Sequence, residues 1–191
     1  MKRGLLCLIT ALLLSGCSGT PDGEGSFEAF RAQLQDAGQV SFSVEVTADY
    51  IDSVERFLLD CTRDPSGLIR FCVAEPEEIR DITGTVSGET GSLSFEDKVL
   101  AFPLMIRERI SPVSGPWMLL HGLQEGHLTS WVQEGELLHV TLETDLNGTT
   151  VTMDVWLRGD AVEAGEIAWQ GIRQMTLQFR DFSFEKTPEG I

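Results

Sequence analysis

The sequence predicts a mainly β (α+β) fold. It has about eleven antiparallel strands, an amphipathic helix ahead of them and an apolar helix about two-thirds along the chain. Three observations predict it. Apolar and polar residues alternate over long stretches, the period of a strand with one buried face. Turn signals separate these stretches at short intervals, so consecutive strands read as hairpins. Only two segments switch to helical spacing.

The chain opens on Met1-Lys2-Arg3 and an apolar run over residues 5–14. That run is too short for a membrane-spanning helix, which needs about 20 apolar residues. It has the length of a secretory signal core. It ends in Leu14-Ser15-Gly16-Cys17, which resembles the lipobox of a bacterial lipoprotein. The resemblance implies that signal peptide 1–16 is removed and that Cys17 carries palmitate-type acyl chains. The protein would then be anchored in the cell membrane on its extracytoplasmic side. Two or more acyl chains hold a protein stably where one holds it only marginally. Residues 17–25 read as a flexible polar tether, 26–185 as the domain and 186–191 as a tail.

Phe27, Phe30 and Leu34 lie on one helical face, with Ser26 able to cap the helix and Gly38 able to end it. From Val40 the period is two: Val40, Phe42, Val44, Val46, Ala48 and Tyr50 alternate with polar residues. Strands follow over 54–63 and 68–75. Between them Asp64-Pro65-Ser66-Gly67 fits a type I turn with glycine in the left-handed position, opening a three-residue hairpin loop. Pairing Asp64 with Leu68 sets Cys61 opposite Phe71 and Leu59 opposite Val73. Cys72 then falls on the other face, so Cys61 and Cys72 are expected as free thiols.

Shorter strands are expected over 82–86, 92–95 and 99–106, with Leu100, Phe102, Leu104 and Ile106 on one side. Pro103 within this run marks an edge or a bulge. The breaker cluster of residues 111–116 leads into Trp117-Met118-Leu119-Leu120-His121-Gly122-Leu123. Ser114 can cap this helix, Pro116 fits its first turn and Gly126 stops it. It is apolar nearly all round and therefore buried. Strands over 128–134 and 136–144 follow, then the hairpin signal Asn147-Gly148. Pairing across it sets Val140 opposite Val155 and Leu142 opposite Met153, so the apolar sets meet. The last strands cover 162–169 and 172–184, with a bulge expected near Arg180-Asp181 because the apolar parity changes there.

The opening helix, the strand 40–50, the hairpin 57–73 and the helical segment 111–123 together resemble the LolA/LolB lipoprotein-carrier family and related mycobacterial lipid-carrying lipoproteins. The resemblance rests on element order over nearly the whole mature chain. It implies a strongly curved antiparallel sheet forming an unclosed half-barrel, plugged by the N-terminal and central helices over a cavity for acyl chains. No functional residue of that family matches one for one.

The net charge is −16, and loss of Lys2 and Arg3 with the signal takes it to −18. This excludes a nucleic-acid surface, which must be basic. At 42% apolar residues the chain can bury a core. His121, His127 and His139 have no metal spacing. The sequence holds no Gly-x-Ser-x-Gly, phosphate loop or Cys-x-x-Cys. No catalytic residue, metal or cofactor is therefore assigned, and the chain is read as a non-enzyme. Candidate cavity-lining residues are Phe27, Phe30, Leu34, Trp117, Met118, Leu120 and Leu123, with plain core packing as the alternative. Trp131, Trp156 and Trp169 are further aromatic candidates. The expected function is a monomeric, membrane-anchored lipoprotein that binds or carries a lipid or lipid-modified ligand in a hydrophobic cavity. The alternative is an envelope protein–protein interaction scaffold with a filled core, its protein partner unidentified.

Overall fold

The structure, a computed structural model, describes residues 22–185 except Ile51, Glu89, Asp97, Arg107, Glu108 and Asn147. The signal segment, Cys17 and the tail lie outside the described residues. The chain runs through α1 (Gly23–Asp36), β1 (Gln39–Tyr50), β2 (Ser53–Arg63), β3 (Ile69–Glu75), β4 (Thr83–Ser87), β5 (Thr90–Phe95) and β6 (Lys98–Pro103). Two-residue strands β7 (Met105–Ile106) and β8 (Arg109–Ile110) pair with each other. Then come α2 (Gly115–Glu125), β9 (His127–Glu134), β10 (Leu137–Leu146), β11 (Thr149–Arg158), β12 (Ala161–Trp169) and β13 (Ile172–Glu185).

Eleven strands form one antiparallel sheet in the order β6-β5-β4-β3-β2-β1-β13-β12-β11-β10-β9. Its ends do not pair, so the half-barrel is unclosed, as expected. Two meanders meet at its centre, where the first strand pairs with the last. The inward face of β1 is the alternating set read from sequence, buried from Val40 to Tyr50. The β2–β3 turn closes as expected: Gly67 has φ +85°, and Asp64 N–H donates to Leu68 O at 3.0 Å. Cys61 faces Phe71 and Leu59 faces Val73. Cys61 and Cys72 are free. The parity change in β13 is also resolved as expected. Ser41 pairs with Ser183 but Ser43 with Arg180, and Asp181 at φ 55° absorbs the extra residue. Phe179 and Phe182 can then both contact Phe42.

Four expectations at element ends are corrected. α1 begins at Gly23, with the Asp22 carbonyl accepting from Ser26 N–H at 2.9 Å. Ser26 therefore lies inside the helix, and the last three residues assigned to the tether are helical. Ala37, not Gly38, terminates it. Ser114 precedes α2 but makes no side-chain cap. The 3-10 turn Pro112–Ser114 runs straight into the helix, so the Ser114 backbone is already helical, whereas a capping residue needs an extended one. The run 99–106 is also not one strand. β6 ends at Pro103, on the edge of the sheet as a proline requires. Leu104 turns inward from the following bend, where it is buried.

Both helices lie on the apolar face. α1 packs on α2, β9 and β10, and α2 on β10, β12 and β13. α2 approaches the sheet closely enough that a Cβ at Gly165 would collide with Leu119. Phe27, Phe30 and Leu34 are buried. Each such side chain contributes roughly 1.5–3 kcal/mol, which a helix of 14 residues needs because alone it is marginal. Arg31 adds a polar tie. Its Nε donates to Leu123 O at 2.9 Å and its Nη2 to Gly126 O at 2.7 Å. These carbonyls at the end of α2 have no partner within their own helix, and a cation suits the negative end of the helix dipole. Arg31→Met should lower stability by about 1.5–3 kcal/mol, the loss of charge-assisted hydrogen bonds. Urea unfolding should show a lower midpoint at unchanged slope.

Candidate functional site

The helices cover the concave face unevenly. Val86 on β4 is fully buried, but further out the inward residues emerge. Leu93 and Phe102 are half-buried, Phe95 is 56% exposed and Leu100 is 66% exposed. Leu93 pairs with Leu100 and Gly91 with Phe102, so the expectation that Leu100 and Phe102 share a side holds. Glycines set the shape of this strip. A Cβ at Gly84 would strike the Phe71 ring, and one at Gly91 would strike the Phe102 ring. Each ring occupies the place where a side chain would otherwise stand, so the backbone of β4 and β5 is covered by rings from the neighbouring strands.

Next to this strip a cleft of about 520 Å³ separates α2 from the β2–β3 and β4–β5 turns. Such a volume is within the usual range for ligand pockets, about 300–1,000 Å³. Trp117, Leu120 and Ile69 form its apolar wall, His121 and Gln124 its α2 rim, and Arg63 its inner end. The imidazole of His121 stacks on the Trp117 indole, with centroids 4.8 Å apart and planes 10° from parallel. Burial holds the His121 pKa below its ordinary 6.5, partly opposed by Glu125.

Among the sequence-derived candidates, Trp117 and Leu120 border this cleft. Phe27, Leu34, Met118 and Leu123 are fully buried, and Phe30 is nearly so. Phe30 meets Phe184 edge-on, with centroids 6.0 Å apart. Trp156 does not join them. It lies on the outer face, stacked on His139 at 4.5 Å, and its indole N–H donates to Glu134 at 3.3 Å. That follows from strand parity, since Trp156 pairs with His139 between the buried Val155 and Leu157. Trp131 stands partly exposed on the edge strand β9 against Gly23, and Trp169 packs at the margin of the core.

Arg63 was not among the candidates, although its parity pointed to it. Phe57, Leu59, Cys61 and Arg63 alternate on one face of β2, so an inward position for Leu59 places Arg63 inward as well. It is 3% exposed, and desolvation lowers its pKa. Its Nη1 donates to Leu34 O at 3.4 Å, near the end of α1.

The outer face carries a broader groove of about 670 Å³ across β1 to β5. Its outward lining is Ser, Thr, Cys72 and charged groups, with Ser43 donating to Asp60 at 2.6 Å. Among the described residues no group of three or more His, Cys, Asp or Glu is placed to hold a metal. No described helix is long and apolar enough to cross a membrane.

No family model matches the sequence, and no curated protein matches it. Solved structures do. An uncharacterized conserved protein from Thermus thermophilus superposes with TM-score 0.50 at 12% identity, over 87% of this chain and 90% of that one. The fold is shared. A putative outer membrane lipoprotein-sorting protein domain from Vibrio parahaemolyticus gives TM-score 0.49 at 11% identity, over 89% of this chain and 95% of that one. A LolA superfamily protein from Nitrosomonas europaea gives 0.43 at 12% identity, over 87% and 95%. At these identities the likeness is one of fold alone. The half-barrel expected from the LolA/LolB resemblance is the architecture the chain adopts.

The His121 environment gives a pH test. Its folded pKa lies below 6.5, so the unfolded chain takes up a proton that the folded chain refuses. Stability is therefore complete above about pH 6.5 and falls as the pH drops below it. Thermal melts at about pH 7.5 and about pH 5.5 should show a larger loss for the native chain than for His121→Phe, which keeps the stack and removes the titration.

Proposed function

We propose that this chain is an extracytoplasmic lipoprotein, anchored through acyl chains on Cys17, that holds the apolar chain of a lipid or lipid-modified ligand on its concave face without making or breaking bonds. One observation carries the reading. The apolar face of the sheet extends beyond the helices that cover it, leaving Leu93 and Phe102 half-buried and Phe95 and Leu100 largely exposed. A filled core with polar outer strands would have no use for such a strip. An acyl chain laid along it would remove this surface from water at about 25 cal/mol per Å². The anchor suits the task, because it keeps the strip near a bilayer that supplies chains.

Dodecanol, a neutral single-chain probe used below its solubility limit, tests the reading by calorimetric titration. The protein with Cys17→Ser should bind it. Leu100→Arg should weaken binding about tenfold, equal to about 1.4 kcal/mol, while the melting temperature holds, since Leu100 is largely exposed. Failure of dodecanol to bind, with no amphiphile retained in native mass spectrometry, would overturn the proposal.

A further inference from the structure

Arg63 has a structural use for one nitrogen, which donates to Leu34 O at the negative end of α1, but no carboxylate among the described residues is paired to its charge. A cation held inside a fold is ordinarily matched by a carboxylate, and the Arg63 nitrogens without a protein partner are not sealed off but reach the cleft. Among the described residues no carboxylate lies within ion-pair distance of Arg63. The adjacent Asp64 is committed elsewhere. Its Oδ1 accepts from Ser66 N–H at 3.0 Å, from Ser66 Oγ at 2.5 Å and from Leu68 N–H at 3.3 Å, and its Oδ2 pairs with Arg70 at 3.0 Å. Glu125, the other acid of the cleft, is exposed at the rim. The guanidinium has five N–H donors, and its hydrogen bond to the protein is the 3.4 Å contact with Leu34 O.

The remaining donors have somewhere to go. Arg63 lines the cleft of about 520 Å³ beneath α2. The mouth of that cleft is kept clear by Gly67 and Gly88, where even an added Cβ would meet nothing within 4 Å. Ile69 in the cleft wall starts a cross-strand row. It pairs with Val86, Val86 with Gly91 and Gly91 with Phe102. Three strand spacings of roughly 4.8 Å separate the two ends of that row, about 15 Å in all. The first three residues of that row are buried, and the face opens only at Phe102.

We infer that Arg63 is the binding site for an anionic head group, a phosphate or carboxylate, of an amphiphile whose chain lies in the cleft against Trp117, Leu120 and Ile69. A planar guanidinium suits either group, since it can donate two parallel hydrogen bonds to two oxygens. The inference rests on the lipid-binding reading and adds the chemical class of the ligand. It also gives a partner to a cation that a chain of net charge −16 places inside the fold with Asp64 near it but no carboxylate paired to it. The acid arrives with the ligand.

The test compares dodecyl phosphate, dodecanol and inorganic phosphate by calorimetry on the Cys17→Ser protein, below micelle-forming concentrations. Dodecyl phosphate should bind about tenfold or more tightly than dodecanol, the scale of a charge-assisted bond. Inorganic phosphate should bind far more weakly than either. Arg63→Met should bring dodecyl phosphate down to the level of dodecanol, and Arg63→Lys should keep part of the difference. Because Arg63 also contacts α1, a second pair leaves it in place. Ser87→Asp and Ser87→Lys change charge at an exposed position in the cleft wall. The first should weaken dodecyl phosphate several-fold and the second should not, with dodecanol unmoved in both. Equal affinity for dodecyl phosphate and dodecanol in the native chain would overturn the inference while leaving lipid binding intact. So would indifference to the Ser87 charge, or inorganic phosphate binding as tightly as dodecyl phosphate. Failure of dodecanol itself would instead strike at the lipid-binding reading.

Discussion

The ladder between β1 and β13 is the constraint on which the rest of the molecule depends. It runs from Gln39 opposite Glu185 to Ala48 opposite Met175, joining strands from the two ends of the described chain. On one side the sheet walks outward from β1 to β6, and on the other from β13 to β9. Each side is a meander of local hairpins that its own turns can specify. Neither encloses a core alone. Only when the two are joined do α1 and α2 have a continuous concave face to cover. Closing so long a stretch of chain costs entropy before its contacts form, and such non-local pairing slows folding. The bulge at Asp181 is part of the same solution. It shifts one residue of β13 so that the apolar sets on both sides of the bend face inward.

Most of this architecture was legible in the sequence because period-two alternation survives wherever one face of a strand is buried. The β1 set and the registers across the β2–β3 and β10–β11 turns follow from parity and turn chemistry alone. What could not be read were features fixed by distant contacts. Residues 18–25 have the composition of a tether, yet Gly23 is helical and sits against Trp131 on β9. Nothing near Gly23 in sequence announces that contact. The failure of Ser114 to cap has a similar cause, since the preceding prolyl turn already commits its backbone to helical angles.

The candidate site was less legible than the fold. The apolar plug of residues 117–123 stood out by composition, and Trp117 and Leu120 do border the cleft. At Trp156 parity outweighs residue type: the register across the β10–β11 turn sets it opposite His139 on the outward face, where the two rings stack. Arg63 was passed over because a charged residue at a strand end reads as solvated, though its parity with Cys61 and Leu59 placed it inward. The uncovered strip was hidden because exposure depends on where the helices stop, and alternation reveals a face without saying what covers it.

The two unpaired edges of the sheet carry a further consequence. In a closed barrel, strand number and shear fix the radius, and with it the interior volume. An unclosed sheet has no such condition. Its curvature can change by small adjustments of twist spread over eleven strands, with no hydrogen bond broken. The capacity of the concave side is thus set by side-chain size at positions such as Gly84 and Gly91, and by how far the helices reach. Substitution at a few inward positions can change the room on the concave side while the strand order stays the same.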